Sequence, residues 1–124
     1  MGMILMSIKP KYVRDIILGK KKYEYRTVKP KVDDVDKIII YETSPTKKVT
    51  VEVQVLDILC GTREEIWNIT KDYSGINKEF YDDYFKNTET CCAYKLGKVT
   101  VYKHPKKLED FGIKYAPQSF IYLR

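Results

Sequence analysis

Lys21, Glu24 and Arg26 stand in the run Gly-Lys-Lys-Lys-Tyr-Glu-Tyr-Arg, Gly19 to Arg26, which puts an ammonium, a carboxylate and a guanidinium within six residues of chain. Arginine's planar fork meets a phosphate or a base edge with two parallel hydrogen bonds, a carboxylate accepts from an exocyclic amine, and a lysine steadies an oxyanion. On a strand, successive side chains point to opposite faces. Glu24 and Arg26 therefore share one face and Tyr23 and Tyr25 the other, with Lys21 at the entrance to the polar side. On a concave face such a trio would grip a nucleobase or a phosphate. Spacing alone also has a plainer meaning: a solvated lysine turn leading into an exposed sheet face, with Glu24 and Arg26 as a surface ion pair worth about 0–1 kcal/mol.

The elements that must position these groups follow from the pattern of the chain. Met3 to Ile8 reads as a short strand, and Pro10 stands at a natural first helical position. Tyr12, Val13, Ile16 and Ile17 then share one helical face, and Gly19 stops the helix. Lys22 to Val28 is the strand carrying the trio, broken by Lys29-Pro30-Lys31, and Asp33, Asp34 and Asp36 make a polar turn. Lys37 to Thr43 is an isoleucine-rich strand that ends in Tyr41-Glu42-Thr43-Ser44-Pro45. In Val49 to Leu59 the valines at 49, 51, 53 and 55 alternate to one face.

The character changes at Thr62, which caps a helix to about Lys71 with Glu64 and Glu65 in its first turn. Asn77 caps a second helix whose Phe80, Tyr81, Tyr84 and Phe85 form a stripe, read as a core-facing side. Thr90 to Leu96 and Lys98 to Lys103 read as two strands about Gly97, closed by His104-Pro105. A turn of helix at Lys107 to Phe111, a stop at Gly112 and a last strand at Phe120 to Leu123 complete the chain. Strands outnumber helices and several are joined by tight turns, so the expected fold is α+β: a small mixed β-barrel with flanking short helices, one domain over residues 1–124.

The formal charge of +6 is unevenly spread. Residues 1–48 carry 12 Lys/Arg against 6 Asp/Glu, residues 49–90 carry 4 against 9, and residues 91–124 carry 7 against 2. Basic ends that meet in one sheet make a basic side, which suits an anionic partner, nucleic acid being the commonest for a small basic domain. There is no secretory leader pattern and no apolar run long enough to span a bilayer, so a cytoplasmic protein without a membrane partner is expected. Cys60, Cys91 and Cys92 form no metal knuckle and, with His104 the sole histidine, no zinc site. They are expected to be small buried hydrophobes, with no disulfide, no metal and no cofactor.

The motif Gly19-x-Lys21-x-x-Glu24-x-Arg26, preceded by Ser7-Ile8-Lys9-Pro10 and the Tyr12–Ile17 helix, resembles the signature of ASCH domains, within the PUA-like superfamily of small β-barrels. The likeness extends through Ile40 to Pro45, the Tyr81–Phe85 helix with Ala93-Tyr94, and Pro117-Gln118-Ser119-Phe120. It implies a PUA-like barrel whose cleft beside the first helix takes RNA or a modified nucleotide. Lys9, Lys21, Glu24 and Arg26 would line that cleft, with Tyr41, Ser44, Gln118 and Ser119 on its rims, and Tyr41 or Tyr94 would stack on an extruded base.

Some ASCH proteins resemble amidohydrolases of N4-acylated cytidines that use a lysine, a threonine and a glutamate. Here Lys21 matches the lysine, but Glu24 occupies the threonine's place. If the chain is an enzyme, Lys21 and Glu24 are the catalytic pair, with Glu24 as base for water and Lys21 stabilising the oxyanion. Glu42, Glu79 and Glu89 are candidates for a third member by position alone. Three functions are consistent with the sequence: an RNA- or modified-nucleotide-binding module, a small amidohydrolase, and a regulatory domain that meets a protein partner through residues 62–86.

Overall fold

The computed structural model describes residues 2–31 and 34–123, so Asp33 of the expected polar turn lies outside it. The elements in chain order are β1 (Gly2–Ile8), α1 (Pro10–Ile17), β2 (Tyr23–Arg26), β3 (Val35–Glu42), β4 (Lys48–Gly61), α2 (Arg63–Thr70), α3 (Lys78–Tyr84), β5 (Cys91–Lys106) and β6 (Phe120–Leu123). Single helical turns at Lys71–Tyr73 and Leu108–Phe111 complete it. The strands form one sheet in the order β2-β5-β4-β3-β1-β6, with β1 and β3 parallel and every other pair antiparallel. The sheet curls until Arg26 on the β2 edge donates a hydrogen bond to the Ser7 carbonyl on β1. This is the expected α+β architecture, a half-barrel with short helices at its side.

Both faces of the sheet are covered at its centre, which explains the near-continuous apolar runs of β1 and β3. Ile4, Met6 and Ile8 of β1, Ile38 and Ile40 of β3 and Val51, Val53 and Val55 of β4 pack on one face with Val13 and Ile16 of α1. Leu5, Ile39, Tyr41 and Val49 form the other, closed by Leu108, Phe111 and Ile113. The expected single face of valines is therefore broken at Val49. A register shift lies between Ile40 and Tyr41 and leaves Thr50 as an extra residue, which turns Val49 to the face opposite Val51. A third cluster, Tyr25, Ile66, Tyr81, Phe85, Cys91 and Ala93, lies under α2 and α3.

Two further expectations are corrected. β5 runs unbroken from Cys91 to Lys106, through both Gly97 and His104-Pro105. A Cβ at Gly97 would lie 2.7 Å from Gln54 Oε1 and 2.9 Å from the Leu56 side chain, so this glycine admits a close approach of β4 and makes no turn. The cysteines are not three free thiols: Cys60 and Cys92 face each other across the β4–β5 pair and form a disulfide, while Cys91 is free and buried. Sequence separation hid the pair, because only the antiparallel register brings residues 60 and 92 together. The caps fall where expected. Thr62 and Glu65 make a reciprocal capping box at α2, and Asn77 Oδ1 accepts from the Phe80 amide at 2.8 Å at α3.

Candidate functional site

Lys21 is held by its backbone before its side chain does anything. Gly19 takes a left-handed conformation (φ 77°) that turns the chain, and the amides of Lys20 and Lys21 both donate to the Asp15 carbonyl, closing α1. The next amide, Lys22, donates to Tyr73 O at 2.8 Å, pinning this turn against the Lys71–Tyr73 turn. The Lys21 side chain then runs inward and is 2% exposed. Its Nζ donates to Ser74 O at 2.6 Å, lies 3.6 Å from Glu24 Oε1 and sits over the rings of Tyr25 and Tyr12 at 5.0 and 5.6 Å. Gly75 makes room for it: φ is 71°, and a Cβ there would come within 2.7 Å of the lysine stem.

From Lys21 the charges continue as a chain. Glu24 Oε2 accepts from Arg26 Nη1, which also donates to Tyr25 O, while Nη2 donates to Ser7 O at 3.1 Å. Arg26 Nε is buried and has no partner among the described residues. Burial is the main cause that pulls the Lys21 pKa below its ordinary 10.5; Glu24 opposes the shift and Arg26 adds to it. The Tyr25 hydroxyl donates to Thr70 Oγ1 at 2.7 Å, and burial pushes its pKa up to about 12. Burial also raises Tyr84.

These groups form the floor of a cavity of about 320 Å³. Tyr12 on α1 and Phe80 and Tyr84 on α3 wall it, the Tyr12 and Phe80 rings standing 6.1 Å apart between centroids. Ser7 fixes the opposite rim, donating through its hydroxyl to Pro117 O and through its amide to Ser119 O. A cation, a carboxylate and an arginine fork below aromatic walls can recognise a planar polar group and the phosphate attached to it.

Six of the residues singled out from the sequence meet here: Lys9, Lys21, Glu24, Arg26, Gln118 and Ser119 all line the cavity. Three do not. Tyr94 is fully buried in the core with its hydroxyl unpartnered among the described residues, and it offers no ring face to a base. Tyr41 is buried on the other side of the sheet, and Ser44 is exposed in the turn after β3; neither lines the cavity. Nor do Glu42, Glu79 or Glu89; Glu42 is occupied by the hydroxyls of Thr46 and Thr50. Among the described residues no group of three or more His, Cys, Asp or Glu could hold a metal ion.

Tyr12, Tyr25, Phe80 and Tyr84 were missed as lining. The α3 stripe divides: Tyr81 and Phe85 are fully buried, whereas Phe80 and Tyr84 are 45% and 41% exposed and turn to the cleft. The i, i+4 spacing of each pair was the available signal.

A curled α+β half-barrel with a charged, aromatic-walled cleft at one end defines the class of the molecule. The chain belongs to the ASCH domain family, whose model matches residues 6–111. A crystal structure of ASCH from Zymomonas mobilis superposes with a TM-score of 0.87 at 27% identity, covering 98% of this chain and 87% of that one. The crystal structure of a single-serine variant of the same protein gives 0.88 at 26% identity, covering 98% and 88%.

A Zymomonas mobilis protein named ASCH domain-containing ribonuclease is 29% identical over 92 residues, 74% of this chain and 62% of the relative. Two Ureaplasma parvum proteins match 98% of this chain at 30% identity: large ribosomal subunit protein uL22 and ATP synthase subunit alpha. The chain spans only 39% and 15% of their lengths. The two have unrelated names and share a likeness to this chain, so neither name by itself says what the matched segment does. No helix among the described residues is long and apolar enough to cross a membrane.

Proposed function

We propose that this chain binds single-stranded RNA and seats one nucleotide, ordinary or modified, in the cleft of Lys21, Glu24 and Arg26. The observation that carries this reading is the buried charge chain below exposed aromatic rings. Arg26 is fixed by two backbone carbonyls and a carboxylate, so its fork is oriented before any ligand arrives. The volume of about 320 Å³ is at the small end of ligand cavities and admits a single base, not a duplex. Phe80 and Tyr84 supply stacking faces, and Lys9, Gln118 and Ser119 supply rim contacts to ribose and phosphate. The name of the Zymomonas relative agrees with an RNA ligand.

Chemical-shift titration of the labelled protein with short single-stranded RNA tests the reading. Shifts concentrated at Lys21, Glu24, Arg26, Phe80 and Tyr84, with affinity falling as salt rises, are the expected result. Binding that leaves those amides unmoved would refute it. The conservative change Arg26→Lys should weaken binding, because it keeps the charge and loses the fork.

Turnover is a second reading, favoured by the lysine whose pKa burial depresses beside a carboxylate. Glu24 Oε2 is engaged by Arg26, which leaves Lys21 the better-placed base. In its neutral form Lys21 would take the proton of a 2′-hydroxyl as that oxygen bonds to the adjacent phosphorus and the bond to the 5′-oxygen breaks. The leaving oxygen would take its proton from water, and Arg26 would bear the phosphorane charge. Incubation with RNA and, separately, with N4-acetylcytidine distinguishes strand cleavage from deacylation; intact substrates in both leave the binding reading alone.

A further inference from the structure

A second cavity, of about 610 Å³ against about 320 Å³ for the cleft, lies elsewhere on the molecule. It is a groove beside the turn after β3, lined by Lys47, Lys48, Lys107 and Lys114, with Glu109 the one carboxylate of the lining and Tyr41, Leu108 and Ile113 beneath. Among the described residues, none of the four ammonium groups has a carboxylate within ion-pair distance. Lys37, Lys78 and Lys86 are paired with Glu52, Asp82 and Asp83, whereas Lys9, Lys98 and Lys103, like the groove lysines, are not paired among the described residues; what sets the groove apart is that four such ammonium groups gather round one concavity. Like charges gathered round a concavity without neutralisation raise the local potential and draw a polyanion. Lys47 adds an independent sign. It holds a left-handed backbone (φ 51°), a conformation glycine takes freely and a lysine takes at a cost of about 1–2 kcal/mol.

We infer that this groove is a second binding site, for the phosphate backbone of the nucleotides that flank the one in the cleft. The inference rests on the RNA reading of the cleft and extends it from one nucleotide to a strand. One segment of chain joins the two sites, which open on opposite sides of the β1–β3 pair. Ile113 and Lys114 line the groove, while Gln118 and Ser119, a few residues on, line the cleft. Lys114 and Ser119 are five positions apart in the chain, so the two points lie at most roughly 18 Å apart. Ser7 holds this segment to the sheet by its bonds to Pro117 O and Ser119 O. On the sheet itself Ser7 pairs with Tyr41 across β1 and β3, one residue lining the cleft and the other the groove. A single strand leaving the cleft over Gln118 and Ser119 therefore meets Lys114 next. The groove contacts are ammonium to phosphate and carry no base preference.

The test compares a nucleoside monophosphate with a ten-nucleotide single-stranded RNA on the wild-type chain and on two double variants, Lys107→Ala with Lys114→Ala, and Lys47→Ala with Lys48→Ala. Each double variant should bind the long RNA more weakly. Each should also flatten the dependence of log affinity on log salt by about 1.4, the slope of two phosphate contacts to a single strand. Monophosphate binding should not change. Lys→Arg at the same positions should restore both affinity and slope. Unchanged affinity and slope for the long RNA in both variants would overturn the groove and leave the cleft standing. Long-RNA binding that responds to the groove variants but not to Arg26→Lys would remove the cleft reading and keep the groove as a polyanion site. A wild-type chain that binds neither probe would overturn both.

Discussion

The cleft and the lysine groove are built on opposite sides of the β1–β3 pair, and they treat positive charge in opposite ways. In the cleft, buried Lys21 and half-buried Arg26 are joined through one carboxylate and tied to three backbone carbonyls. In the groove, four lysines stand in solvent or near it with no carboxylate partner among the described residues. A buried charge that is paired and bonded has one direction, which suits recognition of a particular group. An unpaired surface charge has many directions and suits attraction without selection. Perturbation should therefore be expensive for the fold in the cleft and nearly free in the groove.

The sharpest way to break this contrast is Glu24→Ala. It leaves buried Lys21 and half-buried Arg26 without their shared anion, and removing one partner of a buried pair costs about 3–5 kcal/mol. Thermal or urea unfolding should register most of that loss. Combining it with Lys21→Met should recover part of it, since the most deeply buried cation then disappears as well. A Glu24→Ala chain as stable as the wild type would mean that the charge chain is solvated, and the distinction between the two regions would fall.

Gly75→Ala comes next. The residue would have to hold φ 71° and also place its Cβ within 2.7 Å of the Lys21 stem. The backbone alone is expected to cost about 1–3 kcal/mol, and the clash should push Lys21 off Ser74 O. Loss of stability together with weaker RNA binding is the expected outcome. Loss of stability alone would show that Lys21 is only structural.

These two residues also show what the sequence made legible. Strand alternation and the glycine stop, which are local rules, brought Lys21, Glu24 and Arg26 to one side, and the resemblance turned that side into a cleft. Gln118 and Ser119 were found through the resemblance, not through any local rule. No local rule points to Gly75, because the lysine it accommodates is 54 positions away in the chain. Tyr94 was read as a stacking residue for a related reason. Alternation says which residues share a face but not which face of a sheet covered on both sides looks into a cleft. The α3 aromatics were harder still, since on a helix of seven residues a stripe of four rings is wide enough to serve the core and the cleft together. β5 and the Cys60–Cys92 pair depended on register with β4, which no single segment contains.

A pH series sharpens the comparison further, because burial lowers the pKa of the cleft lysine. The unfolded chain keeps the Lys21 proton up to the ordinary pKa of 10.5, while the folded chain releases it at lower pH. Between the folded value and 10.5 the unfolded state binds more protons, so Lys21 makes stability rise with pH across that window. Below the window both states are protonated and its contribution is constant. Tyr25 acts in the opposite sense: its pKa is about 12 folded against 10.0 unfolded, so stability is lost as pH climbs above 10. Lys21→Met should abolish the alkaline rise and keep the later fall. An identical pH profile in the variant would show that Lys21 titrates as an exposed lysine.

The smallest effect belongs to the groove. Lys107→Ala with Lys114→Ala removes two exposed ammonium groups that make no ion pair among the described residues, so unfolding free energy should move by less than about 0.5 kcal/mol. Mutual repulsion among the four lysines is relieved, so any change should be toward greater stability and should shrink as salt is added. Urea unfolding at low and moderate ionic strength measures both features. A loss above about 1 kcal/mol would mean that the lysine stems pack against Leu108 and Ile113 as part of the core. The groove would then be a structural surface whose charges are incidental, and the near-silence of these substitutions on the fold is what allows their effect on RNA to be read as binding.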